Sequence, residues 1–397
     1  MNIIPRIRVF FLYRIGRLLK VPVPETITGA ESREQVGAWC RAHGYQRALI
    51  IMDKVLRELG VADKMIQSLE KEGIDYLIFD GVLPNPTVGI AKSAASIGRK
   101  HQVEIVIAFG GGSPIDCAKL AAAAIPSKKS IEKLIGTFKV HRPPLPIIAV
   151  PTTAGTGSEV SIGAVISDDV THEKGLMITP RIVPALAILD GETMAGLPPM
   201  WTAATAFDAL AHAVEAYISA TYHAEGAQNA REAVVLINRL LPRAFAEGSD
   251  LEARDGLSLA AFKAGLAMNK CGLGYAHSFG HRLTGYYDLP HGMSVGMFLP
   301  HVLDCNRQAA EKKLAELARA CELGTKDDSP DILADRFIQR VFALYRDVEL
   351  PEKCEQLKKS DYAAIITEAF QETNATYAVP RYLTREEAAA LLDKILP

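Results

Sequence analysis

The sequence has no apolar run that approaches the roughly 20 residues a helix needs to cross a bilayer. The longest near the start covers residues 9–13, too short for a signal-peptide core, and no clear small-residue cleavage site follows it. No CxxC pair occurs among Cys40, Cys117, Cys271, Cys305, Cys321 and Cys354. That excludes a zinc finger and a dithiol redox motif. Scattered cysteines without a secretory signal lead us to expect free thiols and a cytoplasmic location. Net charge is nearly absent as well, with Lys+Arg 44 against Asp+Glu 46. A nucleic-acid binder usually carries a basic footprint, so no nucleic acid is expected as a partner. There is no internal repeat and no low-complexity tract. What remains is a chain of 397 residues, 49% hydrophobic and 23% charged. Such a composition folds, and the length favours two domains over one.

One local absence stands out. The first 24 residues hold no acid, yet they carry Arg6, Arg8, Arg14, Arg17 and Lys20 among Ile3, Ile4, Ile7, Phe10, Phe11, Ile15, Leu18 and Leu19. We treat residues 1–22 as a basic amphipathic extension. A helix of this kind can lie on an anionic membrane surface or serve as a transit peptide. Packing on its own protein or on a partner subunit is the favoured reading, and membrane-surface contact is not.

Residues 23–195 alternate short apolar runs with helical patterns. RALIIM (47–52), YLIF (76–79), EIVIAF (104–109) and PIIAV (146–150) read as buried strands, with helical stretches near 55–72, 88–101 and 114–124. This alternation predicts an α/β domain built on a parallel sheet covered on both faces. Residues 161–166 and 185–189 look like further strands. Residues 196–397 lose the strand runs. Helical patterns at 200–220, 226–246, 251–270, 309–323, 330–346 and 384–395 predict an all-helical second domain.

The turn Gly110-Gly111-Gly112-Ser113-Pro114-Ile115-Asp116 follows the EIVIAF strand and precedes a helix. Glycines let backbone N–H groups approach a pyrophosphate, and the helix N-terminus adds its positive end. Ser113 suits the N-cap, and Asp116 could support the helix or bond a cofactor. The same residues also read as a well-capped glycine turn, since GxGxxG is absent. A second loop, PTTAGTGSEV (151–160), crowds Thr152, Thr153 and Thr156 at the end of another strand, where open α/β sheets bind ligands. Asp53 ends the first of the four strands. A carboxylate there can bond a ribose diol and disfavour a 2′-phosphate, which points weakly to NAD over NADP. It equally reads as a helix cap.

Asp208 and His212 stand four residues apart on a predicted helix, and so do His277 and His281, with His291 beyond. Three imidazoles and a carboxylate suit Fe²⁺ or Zn²⁺ better than Mg²⁺ or Ca²⁺. HExxH is absent. The remaining histidines, His43, His101, His141, His172, His223 and His301, read as isolated packing or surface residues. His301 is a weak outer candidate beyond an expected helix break at Pro300.

GGGSPIDCAK, PTTAGTGSEV, FDALAHAVEAY and HSFGHRLTGYYDLPHG, in that order, resemble the signature segments of the iron-containing (group III) alcohol dehydrogenase family. The resemblance runs from about Pro24 to the C-terminus. It implies a dehydroquinate synthase-like fold, with an α/β dinucleotide-binding domain followed by an all-α domain. It implies metal ligands at Asp208, His212, His277 and His291, with His281 beside the metal. The implied cofactor positions are Asp53, Asn85, Gly111, Gly112, Ser113, Asp116, Thr152, Thr153, Thr156, Ser161 and Lys174. His212 favours the iron-type branch over the related glycerol dehydrogenases, which lack a histidine there. Ser161 stands where a threonine is usual, and Gly163 where some members carry an asparagine. The extension lies outside the resemblance.

The implied function is metal-dependent, NAD-linked dehydrogenation of a small alcohol or aldehyde, with NADP a lesser expectation. The implied metal is Fe²⁺, alternatively Zn²⁺, and the implied assembly a homodimer or larger. We expect His281 to relay the hydroxyl proton, because histidine titrates near neutral pH. Met268 and Tyr275 are expected to line an apolar substrate pocket. A hydroxyacid–oxoacid transhydrogenase or a polyol dehydrogenase would use the same parts. A metal-dependent hydrolase would need no cofactor loops, and an inactive membrane-associated scaffold would need no intact polar cluster.

Overall fold

The computed structural model describes residues 9, 13, 20–171 and 173–397. The basic extension therefore lies almost wholly outside the described residues, as does His172. Two compact units form. One is Lys20–Gly196; the other is Leu197–Pro397 with the described residues Val9 and Tyr13. Among the described residues no helix is long and apolar enough to cross a membrane.

The strands of the first unit are β1 (Glu25–Thr28), β2 (Arg47–Ile51), β3 (Asp75–Phe79), β4 (Ile105–Gly110), β5 (Gly136–Thr137), β6 (Ile147–Pro151), β7 (Gly163–Ser167), β8 (Lys174–Ile178) and β9 (Leu186–Leu189). Six of them make one parallel sheet in the order β1-β9-β6-β4-β2-β3. β4 and β6 are buried along their whole length. Apolar side chains on both faces, such as Leu49 and Ile51 on one and Ile50 and Met52 on the other, feed two separate cores. Each fully buried aliphatic side chain contributes roughly 1.5–3 kcal/mol. This is why the continuous apolar runs in the sequence could be recognised as strands.

Residues 161–166 fold differently from a further strand of that sheet. β7 pairs antiparallel with β8 in a small three-stranded sheet, β5-β8-β7. Its alternation is the cause: Val165 and Leu176 pair across the hairpin, and both are exposed. The expected helix at 55–72 is two helices, Lys54–Glu58 and Asp63–Lys71. Gly60, at φ +68°, breaks the run with a conformation that L side chains rarely adopt.

The second unit is helical. Pro199–Ile218, Ala224–Ala246, Leu251–Cys271, Tyr275–Tyr287, His291–Ala320, Pro330–Asp347, Tyr362–Thr376 and Arg385–Asp393 carry it. The expected break at Pro300 does not occur, and the helix runs through it from His291 to Ala320. Proline removes one backbone bond. Buried Phe298, Leu299, Val302 and Leu303 on either side hold the helix by packing.

Candidate active site

Three helices of the second unit approach each other unusually closely, and glycine permits it. A Cβ on Gly292 would stand 2.2 Å from the Ala204 carbonyl oxygen, and one on Gly280 would stand 2.9 Å from the Val295 Cα. The Pro199–Ile218 helix helps with its alanines, which leave only Asp208, His212 and Glu215 as long polar groups on its inner side. At i, i+4 and i+7 they share one face.

Asp208 is the hub. Its Oδ1 lies 3.3 Å from His291 Nε2, 3.4 Å from His277 Nε2 and 3.9 Å from His212 Nε2. The donor atoms of Asp208, His277 and His291 all lie within 4.8 Å of one another. His212 stands beside this trio with its ring stacked on His277, centroids 4.4 Å apart. A tetrahedral ion with bonds near 2.1 Å keeps its ligand atoms about 3.4 Å apart. Asp208 Oδ1 and His277 Nε2 are buried and make no hydrogen bond. Buried polar atoms are almost always bonded, so two facing atoms without partners, both offering lone pairs once His277 is neutral, fit a cation between them. One carboxylate with imidazoles is a donor set for Fe²⁺ or Zn²⁺.

A residue absent from the expected set holds this arrangement in place. Glu215 is buried, and its carboxylate accepts the N–H of Gly274 at 2.8 Å and of Ala276 at 2.6 Å. It thereby caps the Tyr275–Tyr287 helix. The same carboxylate takes His277 Nδ1 at 2.7 Å, which leaves Nε2 turned to Asp208. Gly274 makes room, since a Cβ there would meet Glu215 Oε1 at 2.7 Å. The sequence signal was its place seven residues after Asp208.

The electrostatics follow. Burial alone would raise Asp208, but His212, His291 and His277 hold it well below the usual carboxylate range. Burial pulls His277 down, while Asp208 and Glu215 outweigh it and lift the ring to about 9. In the metal-free protein the imidazolium therefore stabilises the fold fully below about 6.5, and this contribution is lost as pH rises through 9. A metal must expel that proton. Zinc titrated into metal-free protein at pH 7.5 should release about one proton from His277, seen as a buffer-dependent calorimetric heat. Heats independent of buffer would refute a protonated His277.

His281 sits one turn beyond His277, its ring stacked on His291 at 5.2 Å. Its Nδ1 bonds Glu372 Oε1 at 2.7 Å. Burial lowers its pKa, with Glu372 opposing. Glu372 also accepts from Arg282 Nη2 at 2.9 Å and from the Tyr377 hydroxyl. Tyr275 is a core residue rather than an open pocket wall. It is 2% exposed, with its ring near Phe279 and Phe370 and its hydroxyl accepting the Leu383 N–H at 3.0 Å. His301 packs edge-on against Phe342, away from the trio.

In the first unit the two polar loops lie against each other. A Cβ on Gly111 would meet Thr153 Oγ1 at 3.2 Å, and one on Gly112 would meet Thr156 Cγ2 at 2.9 Å. Gly110 has φ +146°, and a Cβ there would meet the Pro114 ring at 2.5 Å. Glycine is required at this turn on both counts. Ser113 and Pro114 open the Gly112–Ala124 helix, although Gly111 takes the cap position expected of Ser113. Thr152 donates its N–H to the Gly110 carbonyl at 3.1 Å. Asp53 caps the next helix, its Oδ1 accepting the Leu56 N–H at 2.8 Å. Asn85 sits in a left-handed turn at φ +53°, and Lys174 opens β8. The start of the Gly112–Ala124 helix, the missing Cβ atoms and the threonines form a cradle that fits a pyrophosphate.

Comparison with known proteins agrees with both halves. Residues 24–191 match the family described as iron-containing alcohol dehydrogenase, and residues 202–396 match the C-terminal domain of the Fe-containing alcohol dehydrogenase family. The chain is 36% identical over 367 residues to the 1,3-propanediol dehydrogenase of Klebsiella pneumoniae, covering 91% of this chain and 95% of that protein. A crystal structure of 1,3-propanediol oxidoreductase superposes with a TM-score of 0.91 at 35% identity, covering 95% of this chain and 99% of that one. The sulfoacetaldehyde reductase of Bifidobacterium kashiwanohense, solved with NAD⁺, gives 0.84 at 27% identity, covering 95% and 98%.

Proposed function

The chain belongs to the iron-containing alcohol dehydrogenase family, and from that we propose an NAD-linked, iron-dependent enzyme that interconverts a small alcohol and its aldehyde. The observation that carries the proposal is the convergence of Asp208, His277 and His291 on one point, with two buried donor atoms unbonded. We assign the metal ligands to Asp208, His212, His277 and His291. We assign the cofactor contacts to Asp53, Asn85, Gly111, Gly112, Ser113, Asp116, Thr152, Thr153, Thr156, Ser161 and Lys174.

When bound, a divalent ion supplies Lewis acidity that lowers the pKa of a substrate hydroxyl, and a nicotinamide supplies the hydride chemistry. The protein's own groups do the rest. Glu215 fixes the rotation of His277. Asp208 stays ionised among the imidazoles and offers charge as well as a lone pair. His281 takes the hydroxyl proton on Nε2, because Glu372 occupies Nδ1 and so sets the tautomer. The relatives' names support a short, polar substrate, and 1,3-propanediol is the first to test. The six free thiols support a cytoplasmic setting. We extend the reading to a homodimer or larger assembly, which sedimentation would measure.

The test is direct. Metal-free protein should show no activity, and anaerobic Fe²⁺ should restore NADH formation from a short diol or alcohol. Zn²⁺ serves as the comparison. Restored protein that binds NADH yet reduces no aldehyde in a broad screen would sink the proposal. The relay has its own test. Glu372→Gln should lower turnover about tenfold while metal content holds. Glu372 opposes the downward pull on His281, so losing its charge should move the ascending limb of the pH–rate profile to lower pH. An unmoved limb removes Glu372 and His281 from the proton path.

A further inference from the structure

The Gly112–Ala124 helix starts at the glycine turn, and its inner face carries two charges one turn apart. Lys119 is 0% exposed and Asp116 is nearly buried. The Lys119 ammonium donates to the Ser161 carbonyl at 2.9 Å, the Ser161 hydroxyl at 2.8 Å and the Gly163 carbonyl at 2.7 Å. That satisfies all three of its donors. The Ser161 hydroxyl donates to the Gly163 carbonyl at 3.0 Å. Asp116 Oδ2 accepts the Val165 N–H at 2.8 Å. Four of these five bonds run from one turn of helix to the segment that enters β7, and the same segment begins at the threonine loop. The groups facing the ammonium are Asp116 and Glu159, both buried, and their charges oppose the pull of burial on it.

A fully buried ammonium cannot touch a ligand, so any influence it has passes through the loop. Nor is buried charge an efficient source of stability, since an apolar side chain of similar volume is often as good or better. What directional, fully satisfied donors do supply is a fixed geometry.

We propose that Asp116 and Lys119 are positioning residues for dinucleotide binding, a buried clamp that holds the 158–162 loop and the start of β7 against the helix of the glycine turn. This rests on the cofactor assignment above. It gives Lys119 a part in cofactor binding, and it replaces the direct contact assigned to Asp116 above with an indirect one, through Val165.

The experiment is an NADH fluorescence titration on metal-free protein, using wild type, Lys119→Met and Val165→Pro. Methionine keeps the volume and removes the donors. Proline at 165 removes the N–H that Asp116 accepts and fixes φ there, on a strand at the edge of its sheet where the Val165 side chain is exposed. Lys119→Met should weaken NADH binding about tenfold and Val165→Pro about threefold, with zinc or iron loading unchanged. In metal-loaded enzyme KM for NAD⁺ should rise in parallel while kcat stays within about threefold. A folded Lys119→Met with wild-type NADH affinity overturns the clamp. Should that variant fail to fold, an unchanged NADH affinity in Val165→Pro overturns it instead. Wild-type protein that binds neither NADH nor NADPH refutes the cofactor assignment on which the clamp depends.

Discussion

Replacing His277 by alanine is expected to abolish turnover and to leave less than about a tenth of the metal bound, in a protein that still folds. His277 is the most firmly oriented donor of the site. It is 0% exposed, its Nδ1 is held by Glu215 at 2.7 Å and its Nε2 faces Asp208 at 3.4 Å. Alanine removes a first-contact atom that no neighbour can replace. His212 is itself assigned to the metal and so cannot take the place of the lost ring. Folding should survive because Glu215 keeps two backbone N–H partners after the ring is gone. The loss of one buried bond costs about 1–3 kcal/mol. Glu215→Gln is the companion. It keeps the shape but weakens the acceptor, and metal affinity should fall roughly 10- to 100-fold. Mass-spectrometric metal analysis decides: stoichiometric metal in His277→Ala would mean that the ligand assignment is wrong.

The parts of this chain that could be read from sequence are those where one residue type does one physical job. Continuous apolar runs became central parallel strands, because only burial on both faces tolerates them. Asp208 and His212, and His277 and His281, are legible as pairs because residues four apart share one face of a helix. Other parts depend on three-dimensional neighbours. Glu215 resembles any helix-face glutamate until Gly274 and the turn before Tyr275 bring two backbone donors to it. Glu372 lies 91 residues from His281, and no spacing rule connects them. Lys119 looks like a surface lysine at the end of a polar motif, yet it is buried. Of the hairpin, β7 was legible as strand but not as part of a separate sheet, and β8 was not legible, since pairing partner is a property of topology. The 291–320 helix shows the reverse error: Pro300 reads as a breaker, and packing overrides it.

The other large effect concerns the first unit. Gly112→Val should leave metal loading untouched and weaken NADH binding on the order of 100-fold. Gly112 begins a helix in ordinary helical backbone, so a side chain there is not strained by its own dihedrals. The conflict is with what faces it. A Cβ would stand 2.9 Å from Thr156 Cγ2 and 3.2 Å from Thr156 Oγ1. Valine adds two methyl groups to that, directed into the space between the glycine turn and the threonine loop. On the proposed cofactor assignment, the same space would admit pyrophosphate oxygens to the helix N-terminus. Gly110 makes the contrast. Its φ of +146° and the Pro114 ring at 2.5 Å mean that substitution there strains the turn itself. Gly110→Val should therefore lower the melting temperature, whereas Gly112→Val should lower cofactor affinity with the melting temperature nearly preserved. The proposed metal donors all lie in the helical unit, so metal content is the internal control. If Gly112→Val binds NADH as wild type does, the dinucleotide does not use this turn, and the assignment of Gly111, Gly112 and Ser113 fails with it.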